Sequence, residues 1–525
     1  METTITQDCA PAGVTICERT PGLPIAGPRH RAAAGCLVLL LLLLAGPAAR
    51  AQAPAWQTAV TAFQNNFISS QIRATAADAS GNVYVAGNFT GTIVLGSIGL
   101  TSAGNNDAFV AKWSSASGTF VWAQRAGGPL DDYGTGVAVS GASVYLTGYF
   151  MGTAAFGGTA PLVSAGGTDV FVAKLADAGP AGSFVWARRA GGPGSEQANA
   201  VAVQGANVYL TGYFTGTAAF GGTAPLVSAG GTDVFVAKLT DAGTAGSFTW
   251  AERGGGVIND AATAVAVSGA NVYIAGNFTL TVSFGSAFLV SAGYADAFVA
   301  KLIDAGPAGS FVWAQRGGGP NFDVAHGAAV SGANVYVVGQ FETTASFGPT
   351  VLTGTGYDVF VAKFIDAGPA GSVAWAQRGG GPNFDVAYGV AVSGANVYAA
   401  GYVVPPASFG PFAFAAPTNT NVGFLASMRD PTLTATRSAL SAESVTLAPN
   451  PAHGMATVRL PAVPGTATAT LTLLDALGRA VRTQQVPLAA VGTTAEVPLA
   501  GLAPGLYRLR VQAGGQQASQ ALAVE

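Results

Sequence analysis

Residues 126–189 read AGGPLDDYGTGVAVSGASVYLTGYFMGTAAFGGTAPLVSAGGTDVFVAKLADAGPAGSFVWARR. Four short runs in this stretch alternate apolar and polar residues: A (GVAVS), B (SVYLTGYF), C (DVFVAKL) and D (SFVWARR). Glycine, proline, serine and threonine separate them, which is the signature of β-strands joined by turns. No part shows a sustained 3.6-residue period. The same order recurs along the chain. Trp56, Trp122, Trp186, Trp250, Trp313 and Trp375 mark it, spaced by 66, 64, 64, 63 and 62 residues.

Four strands in about 64 residues, repeated in tandem, suit a β-propeller blade better than the much shorter coil of a β-solenoid. Counting strands sharpens this. The array starts with an isolated D-type segment, Ala55 to Ala59, and ends with an isolated C-type segment, Gly423 to Met428. Joining the two completes a sixth blade and removes the exposed edges of an open sheet. The expected fold is therefore all-β: a six-bladed β-propeller over residues 52–428, its N-terminal strand closing the last blade. A linker at 429–444 and a small Ig-like β-sandwich at 445–525 follow. In that last part, strand-like runs are parted by turn signals at Asn450-Pro451, Gly478 and Pro504-Gly505.

The strings GGPLDDYGTGVAV, SGNVYVAGNF and DAFVAKW resemble the bacterial propeller repeat known as SBBP, over roughly residues 56 to 430. That family's name suggests seven blades, whereas the strands here count to six. Its known members are mostly surface or secreted proteins without an assigned reaction, so the resemblance informs fold more than activity. The C-terminal order LAPNPAHG, LLDALGR, GLAPGLYRLRV and a short apolar tail resembles the type A sorting domain of the type IX secretion system. The resemblance implies strands at Met455 to Leu460, Leu471 to Leu474 and Leu506 to Val511. It also implies passage across the outer membrane through that machinery, followed by release or attachment to the cell surface.

The N-terminus agrees with export. Arg29, His30 and Arg31 precede an apolar run from Ala32 to Ala45, and Ala49-Arg50-Ala51 resembles a cleavage site. Residues 1–51 therefore read as a signal peptide, and the 14-residue run is too short to span a membrane. No transmembrane segment is expected after its removal. Cys9, Cys17 and Cys36 all lie in this segment, so the mature chain offers no thiolate ligand, disulfide or cysteine nucleophile. His326 and His453 are the histidines that remain, in different domains. With 9% charged residues and a net charge of −3, the chain lacks the basic clusters that nucleic acid requires.

Several residue sets recur at one register. Arg125, Arg189, Arg253, Arg316 and Arg378 stand three residues after each Trp, and Asp132, Glu196, Asp260, Asp323 and Asp385 stand ten after it. The first copy has Ala59 and Asn66 instead. A ring of five acids has the oxygen chemistry for a cation such as Ca²⁺. The alternative is structural, with each acid pairing with its Arg or capping loop backbone, and the joint loss in the first copy favours the Arg pairing. All five lysines, Lys112, Lys174, Lys238, Lys301 and Lys363, share one position five residues after Asp107, Asp169, Asp233, Asp296 and Asp358. Five residues along a strand reverse the face, so Lys must serve another group, such as a carbonyl or acid of the next blade. Tyr84, Tyr145, Tyr209, Tyr273, Tyr336 and Tyr398 read as core between blades.

The A–B and C–D turns are short and alike, so a ligand is expected on the opposite face, where the long B–C connections emerge. Near that face, Asn88, Tyr149, Tyr213, Asn277, Gln340 and Tyr402 follow the repeated glycine of strand B and vary only among polar or amphipathic types. They form a candidate glycan platform, or half-buried strand ends. The reading is a secreted or surface-displayed binding and adhesion module for an extracellular glycan or protein. A propeller-scaffold hydrolase or lyase, and a surface spacer without ligand, are the alternatives. Against the enzyme, the Asp-box S-x-D-x-G-x-T-W is absent and no blade carries a polar cluster of its own. No catalytic residue and no cofactor beyond a candidate calcium ion is assigned.

Overall fold

The structure is a computed structural model and describes residues 70–415, 420–433, 444–463, 466–475, 479–489, 492–513 and 516–525. The expected signal peptide, the D-type segment Ala55 to Ala59 and most of the expected linker lie outside the described residues. All regular structure described is β-strand. No helix among the described residues is long and apolar enough to cross a membrane.

Each repeat is an antiparallel meander. In unit 2, strand A is Asp132–Ser140, B is Ser143–Phe156, C is Leu162–Asp177 and D is Gly182–Ala190. A pairs with B, B with C and C with D. Unit 1 begins at Ser70–Ala77, unit 3 at Glu196–Gln204, unit 4 at Asp260–Ser268 and unit 5 at Asp323–Ser331, each with four such strands. Unit 6 has three among the described residues: Val386–Ser393, Asn396–Val403 and Val422–Arg429. Among the described residues its strand C pairs with strand B alone.

Burial explains the composition of each strand. B and C are central and covered on both faces, so VYLTG and VFVAKL are buried almost without interruption. The core lies between consecutive sheets. Tyr84, Ala86 and Val110 of unit 1, for example, share one cluster with Leu146, Phe150 and Phe171 of unit 2. Each buried Phe or Val contributes roughly 1.5–3 kcal/mol. Strand A carries a bulge at Thr135, whose hydroxyl donates to Ala198 O in strand A of unit 3 at 2.6 Å. Asn199, through its side-chain amide, and Thr263, through its hydroxyl, donate likewise to Ala262 O of unit 4 and Ala325 O of unit 5. Beside the bulge, a Cβ on Gly148 would fall 1.8 Å from Tyr133 O, which accounts for the repeated glycine of strand B.

The B–C connection is a hairpin, not the long open loop expected. In units 2, 3 and 5 strands B and C continue into it past a register shift, and in units 1, 4 and 6 it is a separate strand pair. It also ties units together: Ala126 and Gly127, ending strand D of unit 1, pair with Phe156 and Ala155 of the unit 2 hairpin. Further along, residues 446–460 and 493–498 form a three-stranded sheet, and residues 468–487 and 505–524 a four-stranded one. Val458, Leu460 and Val497 of the first share a core with Leu471, Leu509 and Val511 of the second. The three strands expected here are present as Met455–Leu460, Thr468–Leu474 and Gly505–Ala513.

Candidate functional site

Every junction between consecutive units is pinned at both ends. At the C–D turn end, Lys112 Nζ of unit 1 donates to Asp177 Oδ2 of unit 2 at 2.6 Å. Tyr84 OH reaches the same oxygen at 2.5 Å, and Trp122 Nε1 donates to Oδ1 at 3.0 Å. The pattern repeats: Lys174 with Asp241, Lys238 with Asp304, Lys301 with Asp366 and Lys363 with Asp430, at 2.5–2.7 Å. Lysine thus serves an acid of the next unit, as its face required. Burial pushes the Asp177 carboxyl up, but hydrogen bonds from Lys112, Tyr84 and Trp122 outweigh it and hold it below the usual range.

The aspartates of these clamps escaped the sequence reading, because each also begins a turn, as when Gly179 N donates to Asp177 Oδ1. A signal was present. Each stands three residues after its own unit's lysine, except that unit 1 has Lys112 followed by Ser115, and unit 6 has Ser427 followed by Asp430. Unit 1 lacks the acid and unit 6 lacks the base, the one-unit offset that a clamp between neighbours produces.

The opposite end of each junction holds two carboxylates and a guanidinium. Here the expected pairing of Arg with the acid that begins strand A is corrected. Arg125 bonds Asp107, not Asp132. Arg189, Arg253, Arg316 and Arg378 likewise bond Asp169, Asp233, Asp296 and Asp358, at 2.5–2.8 Å. Strand geometry is the reason: Arg125 lies on strand D opposite Phe109 on strand C, two residues from Asp107 and so on its face. The strand A acids take backbone amides instead. Gly128, Gly192, Gly256, Gly319 and Gly381 donate to Asp132, Glu196, Asp260, Asp323 and Asp385 at 2.6–2.7 Å. In unit 1 the strand register puts Ser70, not Asn66, at this position, since Ser70 faces Phe89 as Asp132 faces Phe150.

The two acids crowd each other. A Cβ on Gly127 would lie 2.8 Å from both Asp107 Cγ and Asp132 Oδ2, and both residues are at most 1% exposed. Burial pushes Asp132 up to about 7, with the Gly128 amide opposing and the Asp107 charge adding to it. Burial raises Glu196, Asp260 and Asp323 to about 7 and lifts Asp385 as well. Among the described residues no group of three His, Cys, Asp or Glu side chains is placed to hold a metal ion.

The six strand B residues make these contacts. Asn88 is buried, accepting from Arg73 Nε at 2.8 Å and donating to Asn106 at 2.9 Å. Tyr149 stacks on Tyr133, with centroids 4.9 Å apart. Tyr213, Asn277, Gln340 and Tyr402 are half-buried, and Gln340 bonds His326. Units 4 to 6 add a run of aromatic pairs at this end. Exposed Tyr294 and Phe322 stack at 5.4 Å and 8°, Tyr357 meets Phe384 at 4.9 Å, and Phe384 meets Tyr402 at 6.0 Å.

Residues 446–525 match the secretion system C-terminal sorting domain. No curated protein matches the chain. Among solved structures, the crystal structure of dimeric latent PorU from Porphyromonas gingivalis is 11% identical, with a TM-score of 0.14. The alignment covers 87% of this chain and 34% of that one, so the chain spans about a third of its length. A TM-score this low marks no shared fold. From the sorting-domain match it follows that the chain is exported by the type IX secretion system through its C-terminal domain, and is secreted or attached at the cell surface.

Proposed function

We propose that the exported chain is a binding module displayed outside the cell, for glycan or protein. Its repeats form a six-bladed β-propeller of the SBBP type, followed by an Ig-like sorting domain, with residues 1–51 removed as a signal peptide. Two features support closure of the ring. Among the described residues strand Val422–Arg429 pairs on one edge only, and the spare D-type segment Ala55 to Ala59 is the piece that would complete its sheet. The exposed side of that strand agrees: Leu425 is 57% exposed, whereas Val110 and Val172 at the same register are buried.

One observation carries the binding reading. The C–D turn end repeats one clamp from junction to junction, while the B–C and D–A end varies along the array, apart from the matching B–C hairpins of units 2 and 3 and the matching D–A loops that open units 5 and 6. A scaffold uniform on one side and varied on the other is built to present its varied side. The buried acids are structural in this reading, because sealed carboxylates cannot touch a substrate. A glycan array probed with the mature chain, with and without chelator, tests the proposal. Binding that survives chelation is expected. A chain that binds neither arrayed glycans nor surface proteins of neighbouring cells would be a spacer.

A further inference from the structure

The loop-side end of units 4 to 6 carries an aromatic run that the other units lack. Tyr294 is 66% exposed, Phe322 46% and Phe384 37%. Glu342 joins the two ring pairs: its carboxylate accepts from Phe322 N at 3.4 Å and bonds the Tyr357 hydroxyl. The run continues through Phe384 to Tyr402. At the register of Phe322 and Phe384, units 2 to 4 have Asp131, Ser195 and Asn259. At that of Tyr357, units 1 to 4 have Asn106, Thr168, Thr232 and Ala295. Phe322 and Phe384 stand in a copied string, GGGPNFDVA at 317–325 and 379–387, but Tyr294, Glu342 and Tyr357 have no counterpart at their registers in the other units. Core packing does not explain the rings either, since the most prominent of them face solvent.

We infer that Tyr294, Phe322, Glu342, Tyr357, Phe384 and Tyr402 form a site for a neutral hexopyranose chain with mainly equatorial hydroxyls. The inference rests on the binding-module reading and narrows it to one ligand class and one place. A pyranose of this kind presents a flat face of C–H bonds and a rim of hydroxyls. The near-parallel Tyr294 and Phe322 rings offer a shelf for the face, and the Glu342 carboxylate and tyrosine hydroxyls offer partners for the rim. Charge decides against an acidic glycan or other anion. Glu342 is negative, and the nearby arginines, Arg316 and Arg378, are already held by Asp296 and Asp358.

The test is calorimetric titration of the full mature chain with cellohexaose, laminarihexaose, chitohexaose and, as the acidic comparison, oligogalacturonate. At least one neutral oligosaccharide should bind, and the acidic one should not. Tyr294→Ala with Phe322→Ala should weaken binding at least about tenfold, and Phe384→Ala should also weaken it. Leu130→Ala, on the same end of unit 2, should leave it unchanged. All these side chains are exposed, so the melting temperature should hold in each variant and separates lost binding from lost fold. Binding unaffected by the ring variants would overturn this site while leaving the binding-module reading intact. Failure of every neutral oligosaccharide at millimolar concentration, binding of the acidic one alone, or a protein partner alone would overturn the ligand class.

Discussion

Two kinds of carboxylate alternate along the array, and they respond to pH in opposite directions. Asp132, Glu196, Asp260 and Asp323 are raised by burial to about 7, against ordinary values of 3.8 for Asp and 4.5 for Glu. The folded chain holds these protons where the unfolded chain has released them. Their contribution is fully present below the ordinary value, declines as pH rises, and is gone above about 7. The clamp acids, such as Asp177 and Asp304, lie below 3.8, so their stabilisation is present above that value and lost as pH falls through the folded one. Thermal melts should therefore show a higher midpoint at pH 5 than at pH 8, and a loss below about pH 3.8. Asp260→Asn should flatten the slope between pH 5 and 8, and a slope left intact would show that Asp260 is not its source. Calcium should leave the midpoint unchanged, since a ligand binding only the native state must raise it. In the clamps, Lys238→Ala strands the buried Asp304 carboxylate and should cost about 3–5 kcal/mol in denaturant unfolding. Adding Asp304→Ala should recover part of that loss, and strictly additive effects would deny the coupling.

A strand acts here through its register and edges. The edge of Val422–Arg429 that has no partner among the described residues leads to a direct prediction: deleting residues 52 to 62 should destabilise the whole array. For a chain of this size each 1 kcal/mol lost lowers the melting midpoint by about 2–4 °C. A midpoint equal to that of the full mature chain would separate Ala55 to Ala59 from this edge. The strands themselves were legible in the sequence, since period-2 alternation and glycine-rich boundaries depend on local residues. The strand A acids were harder to read. Counting from the tryptophan made Asn66 the first-copy counterpart of Asp132, whereas pairing puts Ser70 there, because the segment before it is longer and spacing cannot see register. The Arg partners were misassigned for a related reason: proximity in sequence favoured Asp132, while the shared face of strands C and D favours Asp107. The aromatic run of units 4 to 6 hid behind similarity between copies. Tyr294 and Tyr357 sit one register apart, so they never lined up as a set.

For the whole molecule, the sorting domain and the array have separate tasks. Removing residues 446–525 should leave the array folded but held in the periplasm, read by protease accessibility on intact cells. Surface exposure of the truncated chain would contradict export through that domain. The one-unit offset of the clamps has a consequence for how such a chain can lengthen. Every inner unit offers a lysine forward and an aspartate backward, so a copied inner unit fits between its neighbours with no new chemistry. Residues 152–175 and 216–239 are identical, as a recent copying event of this kind would leave them. The terminal units, with Ser115 and Ser427, cannot be copied inward without breaking the series. Growth is thus confined to the interior, and the count of repeats can drift while both ends keep their form.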